Sequence, residues 1–396
     1  MNNYIRKLHK YDYGYFSIEK NRKKWEYKFY NDIEDIYIDA DEKDVYISQN
    51  TFTTKQRKLI YLNELKALYI DIDCYSKNLS KESVKFFLEN DMYGEIPIPN
   101  MLVDSGRGLY YIIFLENTYS NDLPKWQTVE KYLFEKLKKF GADNKCLDAT
   151  RVLRVPNTIN SKNNQRVKII DVYDYNYNLD DIIEHYIPEI IEESKEKGQK
   201  KEKQNKGRKK KFVSLFTLYN LYYTRYIDLL ELLKLRNYDV EGYRETILFL
   251  IRYFLCVYLC EEKALNEILE LNKKFKKPLT ENEVINATKS AETSATTQKY
   301  KYSNAKLIKL LDITEEEQKH MKTIISTKEK YRRNNERRKA SRRNEDGLTS
   351  KQLKRKNNIE LIKKLMEEDK SYTVTKLSNI TGLSKGYISK LLKEVK

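Results

Sequence analysis

Residues 67–73 read Ala67-Leu68-Tyr69-Ile70-Asp71-Ile72-Asp73, an apolar run that closes on two aspartates two positions apart. In a strand this spacing sends both carboxylates out of one face, about 6.6 Å apart along the backbone. Two like charges held near 4 Å repel by up to about 4 kcal/mol at an effective dielectric of 20. A compensating cation is expected, and Mg²⁺ or Mn²⁺ prefers such hard oxygen ligands. A pair of exposed strand-end aspartates in a turn is the bland reading of the same spacing.

Working outward, the runs YGYFSI, EYKFY, DIYIDA and VYISQ between residues 13 and 52 alternate as antiparallel strands do. Downstream, residues 101–103 and 109–115 read as strands joined by Asp104-Ser105-Gly106-Arg107-Gly108. Two of the chain's eleven glycines lie in that turn, which suits positive φ or a close approach to a ligand. Successive amides there could hold a phosphate, with the Arg107 guanidinium beside them; an ordinary hairpin explains the glycines equally well. Residues 124–140 form an amphipathic helix with proline near its start and Gly141 at its end. Beyond it, Asp148 precedes a strand carrying Arg151 and Arg154, with Lys162 following. An acidic ligand among cations is what a metal-triphosphate site needs, although Asp148 could simply pair with one of the arginines.

The 396 residues carry 76 Lys and Arg against 59 Asp and Glu, a formal charge of +17. Two strips hold the whole excess: residues 195–211, with ten basic and two acidic side chains, and residues 328–356, with thirteen and four. Basic charge so confined reads as a polyanion footprint, because each neutralised phosphate releases condensed counterions; the bland alternative is that the strips are merely solvated or address a nucleoid or membrane surface. The strips also mark boundaries. They separate a mixed α/β segment over 1–192, a basic linker at 193–211, a helical domain over 212–327, a basic connector at 328–356 and a helical module over 357–396. In the middle domain Tyr243, Ile247, Ile251, Phe254 and Tyr258 recur at helical spacing, and ILFLIRYFLCVYLC, interrupted by Arg252, reads as a buried helix. Arg236, Arg244 and Arg252 are candidates there to touch template or primer, with a plain packing spacer an equal reading of the domain.

The last segment, YTVTKLSNITGLSKGYISKLLKEV, reads as helix, turn, helix. Gly382 suits a left-handed turn, Ser384 caps the second helix, and Leu377, Ile380, Leu383, Ile388, Leu391 and Leu392 supply a shared core. Lys385, Tyr387, Ser389, Lys390 and Lys393 then face outward, as on a recognition helix in a DNA major groove; a small protein-interaction bundle is the alternative.

Other classes are disfavoured. Four cysteines without a Cys-x-x-Cys pair and three scattered histidines argue against a zinc finger. No two histidines lie close enough for a His-hydrophobic-His nuclease site, and no Gly-x-x-x-x-Gly-Lys-Ser/Thr loop occurs. The N-terminus MNNYIRKLHK lacks the apolar run of a signal peptide, so a reducing cytoplasm is expected.

Taken in order, LYIDID, SGRGLYYIIFL and DATRVLRVPNTINSK resemble the catalytic motifs of the archaeo-eukaryotic primase superfamily, in the form found in replication proteins of plasmids from Gram-positive bacteria. RNYDVEGYRETILFLIRYF is similar to the helical domain that follows the primase module in that group, and DITEEEQKHMKTIIS leads into a terminal helix pair as it does there. The resemblance implies an α+β primase-like domain of antiparallel and mixed sheets with an RRM-like core, then an all-α domain and a helix-turn-helix. It implies metal-dependent nucleotidyl transfer, making primers on a DNA template from nucleoside triphosphates, with two Mg²⁺ or Mn²⁺ ions on Asp71, Asp73 and Asp148. Ser105, Gly106, Arg107, Gly108, Tyr110, Arg151, Arg154 and Lys162 would contact the nucleotide, and a separate replicative helicase would be a partner. Tyr110 stands where many members carry a histidine. A phenol donates one hydrogen bond but cannot carry an imidazolium charge, so either Arg151 and Arg154 supply the cation or the chain is a DNA-binding initiator with an inactive primase fold. Asn157 replaces a glycine of related chains, a mild change because asparagine tolerates the left-handed conformation.

Overall fold

The structure, a computed structural model, describes residues 3–9, 13–22, 24–175, 177–188, 190, 211–297, 300, 302–344, 346–369 and 371–395. The expected basic linker lies outside these residues up to residue 210. Two compact units are present: Met1–Ile313 with His320–Ile324, and Thr314–Lys319 with Ile325–Lys396. The fold is mixed α/β with antiparallel sheets, followed by a helical C-terminal region.

The first unit opens with α1 (Asn3–His9), β1 (Phe16–Asn21), β2 (Trp25–Tyr30), β3 (Val45–Ser48) and β4 (Ala67–Ile72). It continues with α2 (Lys81–Phe87), β5 (Met101–Asp104), β6 (Leu109–Glu116), α3 (Leu123–Leu137), β7 (Val152–Arg154), β8 (Ile159–Asn160), β9 (Gln165–Arg166), β10 (Lys168–Val172), β11 (Tyr177–Asn178) and α4 (Leu179–Tyr186). One sheet runs β2-β1-β3-β7, antiparallel throughout. The other runs β10-β5-β6-β11, with β4 also paired to β6 and β11 parallel to it. Of the four runs read as strands near the N-terminus, DIYIDA forms none: residues 35–39 are irregular and mostly at the surface, where no neighbouring strand takes up their backbone groups.

β4 is buried from Ala67 to Ile70, so its apolar run has no polar face to alternate with. Its outer edge is closed by α3: Trp126 Nε1 donates to the Ala67 carbonyl at 2.9 Å, and the buried Glu130 carboxylate accepts the Tyr69 amide at 2.7 Å. A lost ladder partner is thereby replaced by side chains, as buried backbone groups require. α3 ends as its sequence dictates, in a short 3₁₀ turn closed by Gly141 at φ +97°.

The rest of this unit is helical: α5 (Lys211–Leu235), α6 (Arg244–Leu255), α7 (Glu261–Asn272), α8 (Glu281–Thr288), α9 (Ser290–Thr296) and α10 (Asn304–Leu310). α6 is the buried centre, with Ile247, Leu248, Leu250, Ile251 and Phe254 at most 1% exposed. The arginines read as template contacts are spent within the protein. Arg252 is buried, donates to Thr288 Oγ1 at 2.8 Å and pairs with Glu292; Arg244 donates to the Lys277 carbonyl at 2.7 Å, and Arg236 to that of Asp312 at 3.1 Å. No helix among the described residues is long and apolar enough to cross a membrane.

The second unit contains most of α11 (Glu315–His320), then α12 (Thr327–Ser341), α13 (Ser350–Glu368), α14 (Val374–Thr381) and α15 (Lys385–Val395). The basic strip expected as a connector is thus largely helical, because Ser326 caps α12 through the Glu329 amide and Thr349 opens α13 in a capping box with Gln352. Ile362, Leu377, Ile388 and Leu391 form its buried core.

Candidate active site at the end of β4

β4 delivers Asp71 opposite Tyr110 of β6, and the chain then turns so that Asp73 follows immediately. Residues 141–143 run alongside: the Asp73 amide donates to the Gly141 carbonyl at 2.9 Å, and the Asp143 amide to that of Asp71 at 2.8 Å. Asp71, Asp73 and Asp143 therefore share one neighbourhood. Burial, with Asp73 and Asp143 adding to it, pushes the Asp71 carboxyl up to about 7, against the partial offset of Arg151 and Arg154. A carboxylate so destabilised is a charge waiting for a counter-ion. The Cys146 thiol, which burial and Asp71 push up, lies 3.8 Å from Asp71 Oδ2 and 3.2 Å from Asp143 Oδ2.

The Asp104–Gly108 turn abuts this strand end. A Cβ on Gly108 would sit 2.3 Å from the Ile72 carbonyl oxygen, so only glycine permits the approach, while Gly106 takes φ +96°. The turn amides are engaged internally: Ser105 N donates to the Gly108 carbonyl, Gly106 N to Asp104 Oδ1 and Gly108 N to Ser105 Oγ, at 2.9, 2.8 and 3.2 Å. They are not a ready phosphate cradle here. Arg107 is exposed and lies over the Tyr75 ring, 4.4 Å from its centroid. Asn160 Nδ2 donates to the Ser105 carbonyl at 2.8 Å, which ties the turn to the segment where Lys162 is exposed. Asn157 adopts φ +73°, the conformation its side chain tolerates.

Tyr110 is buried. Burial and Asp71 both raise its phenol, while the Arg154 guanidinium bonded to it works the other way. Arg154 also lies over the Tyr46 ring at 4.9 Å and 3.5 Å from Asp44.

Asp148 is placed differently from the expectation. It is 2% exposed, with Oδ1 2.7 Å from Lys263 Nζ and 2.7 Å from Thr150 Oγ1, and Oδ2 2.7 Å from Arg151 Nη2. Burial alone would raise its carboxyl, but Lys263 and Arg151 outweigh burial and hold it well below the usual range. Lys263 comes from α7, so the helical domain itself supplies the counter-charge. Among the described residues, no three His, Cys, Asp or Glu side chains are grouped to hold a metal ion. The donor chemistry of Asp71 and Asp73 fits a divalent cation. Asp148 does not fit as it stands, because two cations already neutralise it.

Lys263 and Asp143 are the site residues that sequence reasoning missed. Asp143 lies between Gly141 and the motif that begins at Asp148, an acid near an expected ligand; Lys263 sits 115 positions from its partner, with no local signal.

In the second unit, Gly382 takes φ +69° at the end of α14, and the Tyr387 amide donates to Ser384 Oγ at 3.4 Å. Lys385, Ser389, Lys390 and Lys393 are exposed on α15. Two expectations are corrected. Tyr387 packs against the core rather than facing outward, since it precedes Ile388 on the buried edge of the helix. Ile380 is 51% exposed, because the three-helix core is complete without it.

No family profile matches the chain. It is 42% identical over 334 residues to a replication protein of Clostridium perfringens, a match that covers 82% of this chain and 79% of that protein. Among solved structures it is similar to the AEP domain of the cyanophage S-2L primase-polymerase (12% identity, TM-score 0.34, 46% of this chain and 94% of that one). It is also similar to the primase RepB′ (10% identity, TM-score 0.30, 74% and 91%). With 42% identity over 82% of its length to that Clostridium perfringens protein, the chain belongs to the family of that replication protein.

Proposed function

We propose that this replication protein is a divalent-metal-dependent primase-polymerase that joins nucleoside triphosphates on a DNA template. The observation that supports it best is the grouping of Asp71, Asp73 and Asp143 at the end of β4, acids beside Asp71 whose effect Arg151 and Arg154 offset only in part. Asp71 and Asp73 are the residues that would hold Mg²⁺ or Mn²⁺, and Asp148 could join them only by exchanging its bonds to Lys263 and Arg151. A bound ion of this kind activates an attacking hydroxyl and shields the triphosphate. Arg154, steered by Tyr110 and Tyr46, and the exposed Arg107 and Lys162 would offset phosphate charge, while Ser105, Gly106 and Gly108 shape the turn beside it. Lys385, Ser389, Lys390 and Lys393 would place the protein on duplex DNA, with strand separation left to a separate helicase.

A second reading has its own observation. Neutralisation of Asp148 by Lys263 and Arg151, with Tyr110 in place of a histidine, favours a DNA-binding initiator whose primase fold no longer catalyses. Template-dependent synthesis with Mn²⁺ separates the two. The wild type should yield product, and Asp71→Ala or Asp73→Ala should lower incorporation at least about 10²-fold; full activity in either variant removes the assignment, and none in the wild type selects the second reading.

A further inference from the structure

The four-stranded sheet carries a row of side chains that runs from its open edge to the candidate site. Tyr27 of β2 pairs with Glu19 of β1, Glu19 with Tyr46 of β3, and Tyr46 with Arg154 of β7. Trp25, two residues before Tyr27 and hence on the same face, packs its ring 5.3 Å from that of Tyr46. Arg154 covers Tyr46 at 4.9 Å and meets Tyr110, which is paired across the strands with Asp71. At the outer end of this path Tyr27 is 69% and Trp25 53% exposed. Two aromatic rings exposed on one face at a sheet edge offer flat apolar surfaces to a planar partner.

We propose that Trp25 and Tyr27 form a stacking platform for the bases of single-stranded DNA, in line with the Asp71 and Asp73 carboxylates. The assignment rests on the nucleotidyl-transfer reading of that site and adds a path for the strand that reaches it. Three features select this occupant. Rings interleaved with cations are how proteins hold single strands without reading sequence, since every base has a π-face. Residues 20–28 carry five basic side chains and one acidic; Lys20 and Arg22 pair with Glu42, while the exposed Lys24 and Lys28 flank the two rings, which suits a phosphate backbone and disfavours pairing of β2 with a second copy. Glu19, the acid inside the row, is neutralised by Arg57, whose Nε lies 2.6 Å from it.

The chain's two tryptophans make the test specific, because Trp126 is fully buried in α3 and only Trp25 can meet a base. Tryptophan emission of the full-length protein is followed during titration with a 20-nucleotide oligothymidylate, with binding read independently from the anisotropy of a labelled oligonucleotide. Emission is expected to fall on binding, and this quench should vanish in Trp25→Phe, which keeps a ring but loses the indole. Trp25→Ala/Tyr27→Ala, checked for folding by circular dichroism, should bind the single strand at least about 10-fold more weakly. Duplex of the same length, whose base faces are hidden, should not quench. No quench at saturation, unchanged affinity in a folded double variant, or loss of a dimer in light scattering without loss of DNA affinity each overturns the platform. Quenching without primer synthesis overturns the polymerase reading alone, and synthesis without quenching overturns the platform alone.

Discussion

Lys263 reaches from α7 to the α/β domain and, with Arg151, neutralises a buried carboxylate. Removing one member of such a group strands the others without compensation, so Asp148→Asn should cost about 3–5 kcal/mol in urea unfolding. Adding Lys263→Met to that variant should recover part of the loss, since the stranded ammonium is then gone; additive losses would show that the pair does not interact. Asp71 has the opposite electrostatics. Its folded carboxyl titrates near 7, above the ordinary range, so the folded chain holds that proton more tightly. The contribution of this group to stability is therefore greatest below about pH 4 and is lost as pH rises from there through 7. Asp71→Asn should remove this loss, gaining about 1–2 kcal/mol over the wild type at pH 8 in chelator, after allowance for solvent screening. A stability–pH curve that is the same in both proteins would contradict it.

At the scale of elements, two glycines do different work. Gly108 has no room for a Cβ against the Ile72 carbonyl, so Gly108→Ala must push the hairpin away from the end of β4. A loss of about 1–3 kcal/mol is expected in thermal unfolding, together with weaker nucleotide binding by calorimetry. Gly382 has open space around it but takes φ +69°. Gly382→Ala should cost about 1 kcal/mol and Gly382→Asn less, because asparagine accepts the left-handed conformation; equal costs would mean that the turn does not need it.

For the whole molecule, the division into two units assigns one of the two basic strips, 328–356, to a different unit from Asp71 and Asp73. The strip at 328–356 and the terminal helices lie in the second unit, with their own core. A fragment spanning 314–396 should fold alone and bind duplex DNA with an affinity that falls steeply and linearly in the logarithm of salt concentration. Replacing Lys385, Lys390 or Lys393 by alanine should each reduce that slope by about one. A salt-independent affinity would exclude a phosphate footprint.

The apolar run into Asp71 and Asp73, the glycine turn, the proline-started helix ending at Gly141 and the terminal helix pair were all legible, because each rests on local periodicity or on backbone conformations that few residues accept. DIYIDA misled for the same reason: alternation is local, but a strand exists only where a partner takes up its hydrogen bonds. The state of Asp148 was decided elsewhere. Whether a carboxylate meets a metal or an ammonium depends on which charge the fold brings within 3 Å, and here that charge comes from a helix 115 residues away in the chain. Likewise, Trp25, Tyr46, Arg154 and Tyr110 become one path only through strand pairing, which joins residues that no sequence window contains.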